Sequence, residues 1–467
     1  MSPISIVKHK IAKIAVIFPI KYQNQALYRR AETALDCTAR PCYYYIYRHV
    51  RGGKMTIVEF FDLAPIENII SSLTMQVDKA VFVGASKAMR KRGELLRKFL
   101  ADKGRDIEFE YVIINKYDLS GIVAALSRIV ENEAEPVFDL NGGEDLLLVA
   151  MGIVYERYRD KKHIEMHRYN IKTGTVTDCD DDGKVFPEAH YKLSVDDNIR
   201  LNGGAIRYAA DGMGGTFDWK IDEEFRADVL KLWEICKRAP NEWNKRIGIM
   251  HEAGRRGFID ASQLNISIDK SYLVSKASGA DKLKQLNAFL DELDSIGAVK
   301  DLVRTENEIS YRYKDLRLRN CLRKEGTVLE LTTLIASSEL MDRSGERLYN
   351  DAMNGVVIDW DGVLHSHGQD TSDVENEIDV FLMKGLVPIL ISCKNGMTDT
   401  DELYKLQTVA NRFGGGYAKK VLITTYLRKS ERSLESLKQR AKEMKIRLIE
   451  NVHSMSFEEF KNKLKNL

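Results

Sequence analysis

Residues 377–396 read EIDVFLMKGLVPILISCKNG, two apolar runs meeting around Gly385, and this pattern of a tight hairpin decides the fold of the C-terminal third. Successive strand residues face opposite sides of a sheet. Glu377 and Asp379 therefore share one face, as do Ser392 and Lys394, while Ile378, Val380, Ile391 and Cys393 point the other way into a core. A carboxylate and an ammonium on neighbouring strands can then converge. An oxygen-lined pocket of this kind suits Mg²⁺ or Mn²⁺, which stabilises charge developing on a phosphate and activates a water, and a lysine beside it can hold that water or the phosphate oxygens.

Around the hairpin the pattern predicts a helix over 328–341, a strand over 355–360, strands over 378–383 and 387–392, a helix over 401–413, a strand over 421–425, a helix over 430–444 and a last strand over 447–451. Toward the N-terminus, short apolar runs at 55–62, 79–84, 107–115, 136–140 and 164–169 alternate with helical stretches at 67–77, 88–103, 120–131 and 145–160. Strands alternating with helices at this spacing imply an α/β fold built on a parallel sheet, whose ligands bind outside the carboxyl ends of the strands. Those ends fall at 62–65, 84–87, 115–116 and 141–145. Gly84 and Gly142-Gly143 let backbone N–H groups approach a phosphate closely, just before a helix N-terminus that favours an anion. A tight turn with an N-cap explains Gly142-Gly143 and Asp145 equally well, and the lack of a GxGxxG motif speaks against a dinucleotide.

Between these halves, helical spacing recurs at 225–237 and 281–296, followed by short strands at 300–303 and 308–313. The order resembles a small winged-helix-like module. Six cations (Arg312, Lys314, Arg317, Arg319, Arg323, Lys324) then lie beside a single acid, Asp315; the run reads as a solvated surface first and as a contact to a phosphate backbone second. The expected division is 55–175, 176–325 and 326–467.

Composition bounds the class. A chain of 467 residues is too long for one ordinary domain, and 44% hydrophobic with 30% charged residues describes a globular protein. No apolar run reaches the ~20 residues of a membrane span. The formal net charge of +2 leaves a polyanion to be met by local patches. Six cysteines without a CxxC pair fit a reducing, cytoplasmic compartment and argue against disulfide or zinc scaffolding. Residues 1–54 lack a clean period, whereas Met55 opens a regular strand after Arg51-Gly52-Gly53-Lys54. The expectation is a start at Met55, with 1–54 as translated leader; a targeting peptide would need a small-residue cleavage site after an apolar core.

The C-terminal pattern resembles the PD-(D/E)xK nuclease superfamily over about 140 residues. By that resemblance Asp379 is the metal-binding aspartate, the backbone carbonyl of Cys393 a further ligand, Lys394 the catalytic lysine and Glu330 the glutamate of the leading helix. The usual second acid would stand at Ser392, so Glu377 or Glu402 is needed to supply a carboxylate. From Met55 onward the whole order resembles CRISPR-associated ancillary nucleases that join a Rossmann-like CARF sensor to such a domain. The resemblance implies a homodimer that binds cyclic oligoadenylate, commonly cyclic tetra-adenylate, and then cuts nucleic acid with a divalent metal. Gly84, Ala85, Ser86, Lys87, Asn141, Gly142 and Gly143 would line the ligand pocket. Glu144 and Asp145 stand where many CARF domains carry Thr and Lys or Arg, which leaves Lys87 and Arg90 as compensating cations. The opposing class is a ligand-sensing, nucleic-acid-binding regulator whose nuclease-like end is inactive at Ser392.

Weaker candidates have plainer readings. His163 and His167 fall on a strand, His365 and His367 in a turn-rich loop, and Asp359 and Asp361 beside Gly362 in a turn. The basic helix of 429–445 reads as a solvated face.

Overall fold

The structure, a computed structural model, describes residues 54–85, 89–179, 185–186, 191–210, 214–254, 257, 263–364, 375–396, 398, 400–426 and 431–467. Apart from Lys54, the leader expected over 1–54 lies outside them, as do Ser86, Lys87, His365, His367 and Lys429.

Strand β1 (Met55–Phe60, MTIVEF) is buried along its whole length, as an apolar strand covered on both faces must be. It lies between β2 (Lys79–Gly84) and β4 (Glu135–Asp139), with β3 (Glu108–Ile113) beyond β2 and β5 (Glu165–Asn170) beyond β4, all parallel. The crossovers are helices α1 (Ile70–Thr74), α2 (Met89–Asp102), α3 (Leu119–Asn132) and α4 (Asp145–Tyr158). Strands β6 (Thr175–Asp178) and β7 (Val185–Phe186) continue the sheet antiparallel, giving the order β3-β2-β1-β4-β5-β6-β7. The parallel, helix-covered part has the Rossmann-like form expected from the alternation. Strand order reverses at β1, so the crevice between the carboxyl ends of β1 and β4 is the switch point where ligands of such sheets bind.

Helix α5 (Val195–Leu201) opens with a reciprocal capping box between Ser194 and Asp197, and β8 (Ala205–Ile206) follows. Next come α6 (Glu223–Arg238), α7 (Pro240–Gly254), β9 (Asn265–Asp269), α8 (Lys270–Val274), α9 (Gly279–Ser295), β10 (Val299–Arg304) and β11 (Glu308–Tyr313), the three strands forming an antiparallel sheet in the order β10-β11-β9. Asp222 caps α6, and Pro240 starts α7 at the position where a missing N–H costs nothing. Helix α10 (Leu316–Cys321) leads into the last third.

There α11 (Thr327–Ser338), β12 (Asp351–Asp359), β13 (Glu375–Lys384), β14 (Val387–Lys394), α12 (Asp401–Phe413), β15 (Lys419–Thr424), α13 (Glu431–Glu443), β16 (Ile446–Ile449) and α14 (Phe457–Lys465) build a six-stranded sheet, β16-β15-β14-β13-β12-β8. The hairpin β13–β14 turns at Gly385, whose φ of +63° suits glycine. From β14 to β16 the strands run parallel through the crossovers α12 and α13. Strand β8 pairs with β12, Ile358 opposite Ile206, so a segment expected in the linker supplies the sheet's edge strand.

Two cores flank this sheet. On one face Val380, Ile391 and Val421 share an apolar cluster with Leu331 and Leu334 of α11 and with Phe225, Trp233 and Trp243 of α6 and α7. Nearly every residue of α11 is buried, and its buried Thr332 and Thr333 hydroxyls donate back to the helix carbonyls of Val328 and Leu329. On the other face Phe381, Leu390 and Leu403 join Ile57, Phe82 and Val137 of the N-terminal sheet in one cluster. Burial at about 25 cal/mol per Å² of apolar surface makes such shared cores the main force holding the sheets in register. No helix among the described residues is long and apolar enough to cross a membrane.

Candidate functional site

Strand alternation brings Asp379 of β13 and Lys394 of β14 to one end of the hairpin, with Nζ 3.7 Å from Oδ2. Asp379 Oδ2 also accepts from the Cys393 backbone N–H at 2.7 Å and from Ser392 Oγ at 3.2 Å. Glu330 enters from the first turn of α11, 8% exposed, and its Oε2 accepts from Asn354 Nδ2 at 3.0 Å. The same amide donates to the backbone carbonyl of Asp379 at 2.8 Å. Asn354, on β12, thus ties the two acids together. Glu402, in the first turn of α12, approaches Lys394 Nζ to 3.0 Å and Lys405 to 2.9 Å. Glu377 instead pairs outward with Lys324, both oxygens at 2.8 Å. Of the two candidates for the missing carboxylate, Glu402 therefore touches the lysine and Glu377 flanks the acids behind its own ion pair.

Electrostatics set the chemistry. Burial, then the Asp379 carboxylate beside it, pushes the Glu330 carboxyl up to about 8. Burial also raises Asp379, opposed by the Lys394 ammonium and the Cys393 N–H. Burial works against the charge on Lys394, but Asp379 and Glu402 outweigh it and hold the ammonium above its usual range. Two buried acids that repel one another are relieved by a cation between them. A Cβ placed on Gly326 would lie 2.9 Å from Glu330 Oε1 and 4.0 Å from the Cys393 carbonyl oxygen, so this glycine has both oxygens as neighbours. A hard oxygen set of Glu330, Asp379 and the Cys393 carbonyl fits Mg²⁺ or Mn²⁺. The Cys393 thiol is turned away, beside Thr333 at 3.7 Å, and among the described residues no group of three His, Cys, Asp or Glu side chains stands at metal-ligand spacing. Two carboxylates and a carbonyl would leave the remaining coordination positions to water and phosphate, as is usual for Mg²⁺.

A second site lies at the switch point of the N-terminal sheet. Gly84 ends β2 and Ala85 follows it. Gly143, with φ +105°, and Gly142 pass so close to β1 that Cβ atoms there would meet the Phe60 ring at 2.8 Å and Asp62 at 3.2 Å. Asn141 fixes the turn: its N–H donates to Asp139 Oδ1 at 2.9 Å and its Oδ1 accepts from the Tyr169 N–H at 2.6 Å. Glu144 is the N-cap residue of α4, and Asp145 opens its first turn. Lys116, after β3, reaches Glu144 at 2.6 Å. The cation compensating Glu144 is thus Lys116, beyond the carboxyl end of β3, with β2 and β1 between that strand and β4, a pairing that sequence reasoning missed. Beneath the turn Glu59 and Asp139 are fully buried, and burial raises both, Asp139 to about 6.

Several candidates resolve into structural roles. Asp359 Oδ1 accepts from the N–H groups of Asp361, Gly362 and Val363, which is turn chemistry. Glu165 lies between His163 at 3.3 Å and His167 at 3.2 Å; only His167 lies on a strand, buried in β5, whereas His163 precedes that strand. The basic run is held internally: Lys314 to Asp228, Arg317 to Asp222 at 2.8 Å, Arg319 to Gln263 at 2.6 Å and Lys324 to Glu377. Arg319 is buried, and with these pairs it corrects the expected solvated surface. The cysteines Cys236, Cys321 and Cys393 are buried thiols.

No known family matches the sequence, nor does any curated protein. Solved structures do. Protein VC1899 from Vibrio cholerae superposes with a TM-score of 0.65 at 16% identity, covering 88% of this chain and 97% of that one. Can2 from Sulfobacillus thermosulfidooxidans, in complex with cyclic tetra-adenylate, superposes with a TM-score of 0.59 at 14% identity, covering 88% and 100%. The chain shares their fold. At such identity the likeness extends to the path of the backbone, and the chemistry has to be argued from the side chains.

Proposed function

We propose that the chain is a cytoplasmic, homodimeric endonuclease of type III CRISPR defence, activated by cyclic oligoadenylate and dependent on a divalent metal. In this reading 55–175 is a CARF-like sensor, 176–325 a linker with a winged-helix-like module and 326–467 a PD-(D/E)xK nuclease domain cutting DNA, RNA or both. The observation that carries it is the convergence of Asp379 with Lys394, 3.7 Å apart, and with the buried Glu330 through the shared amide of Asn354. The order α7, β9, α8, α9, β10, β11 with its small sheet supports the winged-helix-like reading, and the fold shared with Can2, whose structure holds cyclic tetra-adenylate, supports the sensor.

Glu330, Asp379 and the Cys393 carbonyl would hold Mg²⁺ or Mn²⁺, which when bound polarises the scissile phosphate and lowers the pKa of a water. Asn354 holds the Glu330 carboxylate and the Asp379 backbone, while the Cys393 N–H and Ser392 hold the Asp379 carboxylate. Lys394, kept charged by Asp379 and Glu402, orients the attacking water and faces the phosphate oxygens as negative charge builds. Ser392 cannot bind as a carboxylate would; it donates to Asp379 and fixes its rotamer. In the sensor, the Gly142–Gly143 backbone and the N-terminus of α4 would face ligand phosphates, with Lys116 offsetting Glu144. Binding shifts activity only if the ligand favours one arrangement of the dimer over another.

The test is cleavage of a supercoiled plasmid and of labelled single strands in Mn²⁺ with cyclic tetra-adenylate. Cutting by the wild type that disappears in Asp379→Ala and Lys394→Ala supports the reading. Nucleic-acid binding without cutting in any metal establishes the opposing reading, an inactive nuclease-like regulator.

A further inference from the structure

The segments that carry Glu330 and Lys394 are both held from outside the C-terminal sheet, by neighbouring residues of one helix. Trp243, buried near the start of α7, donates its Nε1–H to the backbone carbonyl of Glu325 at 3.1 Å. That carbonyl immediately precedes Gly326, the N-cap residue of α11, whose first turn presents Glu330. Asn244 donates from Nδ2 to the backbone carbonyl of Asn395 at 2.5 Å and accepts from Asn395 Nδ2 at 2.7 Å through its Oδ1. Asn395 directly follows Lys394. It is succeeded by Gly396, whose φ of +121° turns the chain so closely past α7 that a Cβ there would lie 3.4 Å from Asn244 Nδ2.

We propose that α7 is a two-pronged positioning element for the nuclease centre: Trp243 sets the limb bearing the metal-binding Glu330, and Asn244 sets the limb bearing Lys394. The proposal rests on the nuclease reading above and deepens it. Neither residue touches the reacting atoms. Each acts through a backbone carbonyl, and a misplacement of about 1 Å at such a limb costs on the order of 100-fold in rate. The arrangement also gives the middle module a direct line to catalysis. Any ligand or strand that moves α7 moves both limbs, without a contact of its own to the acids or the lysine.

The two prongs predict different kinetic losses, which a general loosening of the fold would not produce. Trp243→Phe keeps an aromatic ring and removes only the Nε1 donor; it raises the Mn²⁺ concentration for half-maximal cleavage, by about tenfold, with little change in kcat at saturating metal. Asn244→Ala lowers kcat about 10- to 100-fold at saturating metal, with the KM for substrate within twofold of wild type. Lys245→Ala, which breaks an exposed ion pair with Glu242 on the same helix, serves as the control and leaves both constants unchanged. Hydrogen–deuterium exchange of the full chain supplies an activity-independent readout: peptides covering 391–396 exchange faster in Asn244→Ala, while those covering β1 and β4 do not. Equal loss of kcat and metal affinity in both variants, or unchanged kinetics in both, overturns the proposal. Should wild-type protein cut nothing in any metal, the nuclease reading fails on its own. The positioning contact is then decided by exchange alone, supported by faster exchange at 391–396 and overturned by identical exchange.

Discussion

Glu330→Gln is expected to stabilise the metal-free protein, and the size of the gain should depend on pH. The Glu330 carboxyl is raised from 4.5 to about 8 by burial and by the Asp379 carboxylate. A raised acid keeps its proton in the native state while the unfolded chain gives its proton up. Its cost to stability is therefore absent below pH ~4.5, grows by about 1.4 kcal/mol per pH unit above that, and levels off beyond pH ~8. At pH 7 the cost is about 3 kcal/mol. Glutamine carries no such cost and can still offer a carbonyl to Asn354 Nδ2, so the variant recovers most of it. By scanning calorimetry in EDTA, the transition of the C-terminal sheet should rise by roughly 5 °C at pH 7 and by nearly nothing at pH 4.5. Mn²⁺ should reverse the order, because the wild type gains binding energy that the variant forgoes. A variant less stable than wild type at pH 7 without metal, or a gain that does not change between pH 5 and pH 8, would refute the claim that this acid is buried against another acid.

Other substitutions read other parts of the molecule. Glu402→Gln removes one of the two carboxylates holding Lys394 charged, so the Lys394 pKa falls and the alkaline limb of the pH–rate profile moves to lower pH; a profile superimposable on wild type counts against a charged Lys394. Gly143→Ala adds a Cβ 2.8 Å from the Phe60 ring at a φ of +105° and should cost about 2 kcal/mol or more, together with at least tenfold in affinity for cyclic tetra-adenylate by calorimetric titration. Tyr417→Phe deletes the hydroxyl that binds Glu67 across the two sheets, at a cost of about 1–2 kcal/mol. It should leave ligand affinity intact while lowering ligand-stimulated cleavage; equal stimulation would show that the coupling runs elsewhere.

Much of this architecture is legible along the chain because it obeys local periods. The alternation at Met55–Phe60, Lys79–Gly84 and Glu135–Asp139 announces a parallel sheet, and the hairpin pattern brings Asp379 to Lys394, although the strict period of two fails at Ile378, which packs with Phe381 in the core opposite that of Val380, Ile391 and Cys393. Glu330 becomes a candidate only through the resemblance of its helix and strand order to a nuclease superfamily. What stays hidden is long-range and aperiodic. Two residues of β8 pair with β12 across some 150 positions with no pattern to announce it. Asn354 reads as an ordinary polar strand residue until its amide is seen spanning Glu330 and Asp379. The cations at 314–324 look like a free patch because their partners Asp222 and Asp228 lie about ninety residues earlier. Lys116 and Glu144 meet only because β3 and β4 end on the same side of one sheet.

The central claim is that the Asp379–Glu330–Lys394 cleft cleaves phosphodiesters with a divalent metal when the sensor is occupied. Single-turnover cleavage of a labelled strand by purified protein, with Mn²⁺ or EDTA and with or without cyclic tetra-adenylate, tests it most directly. The account predicts cutting only where metal and ligand are both present, lost in Lys394→Ala. Cutting that persists in EDTA, or that is unchanged in Lys394→Ala, would contradict it.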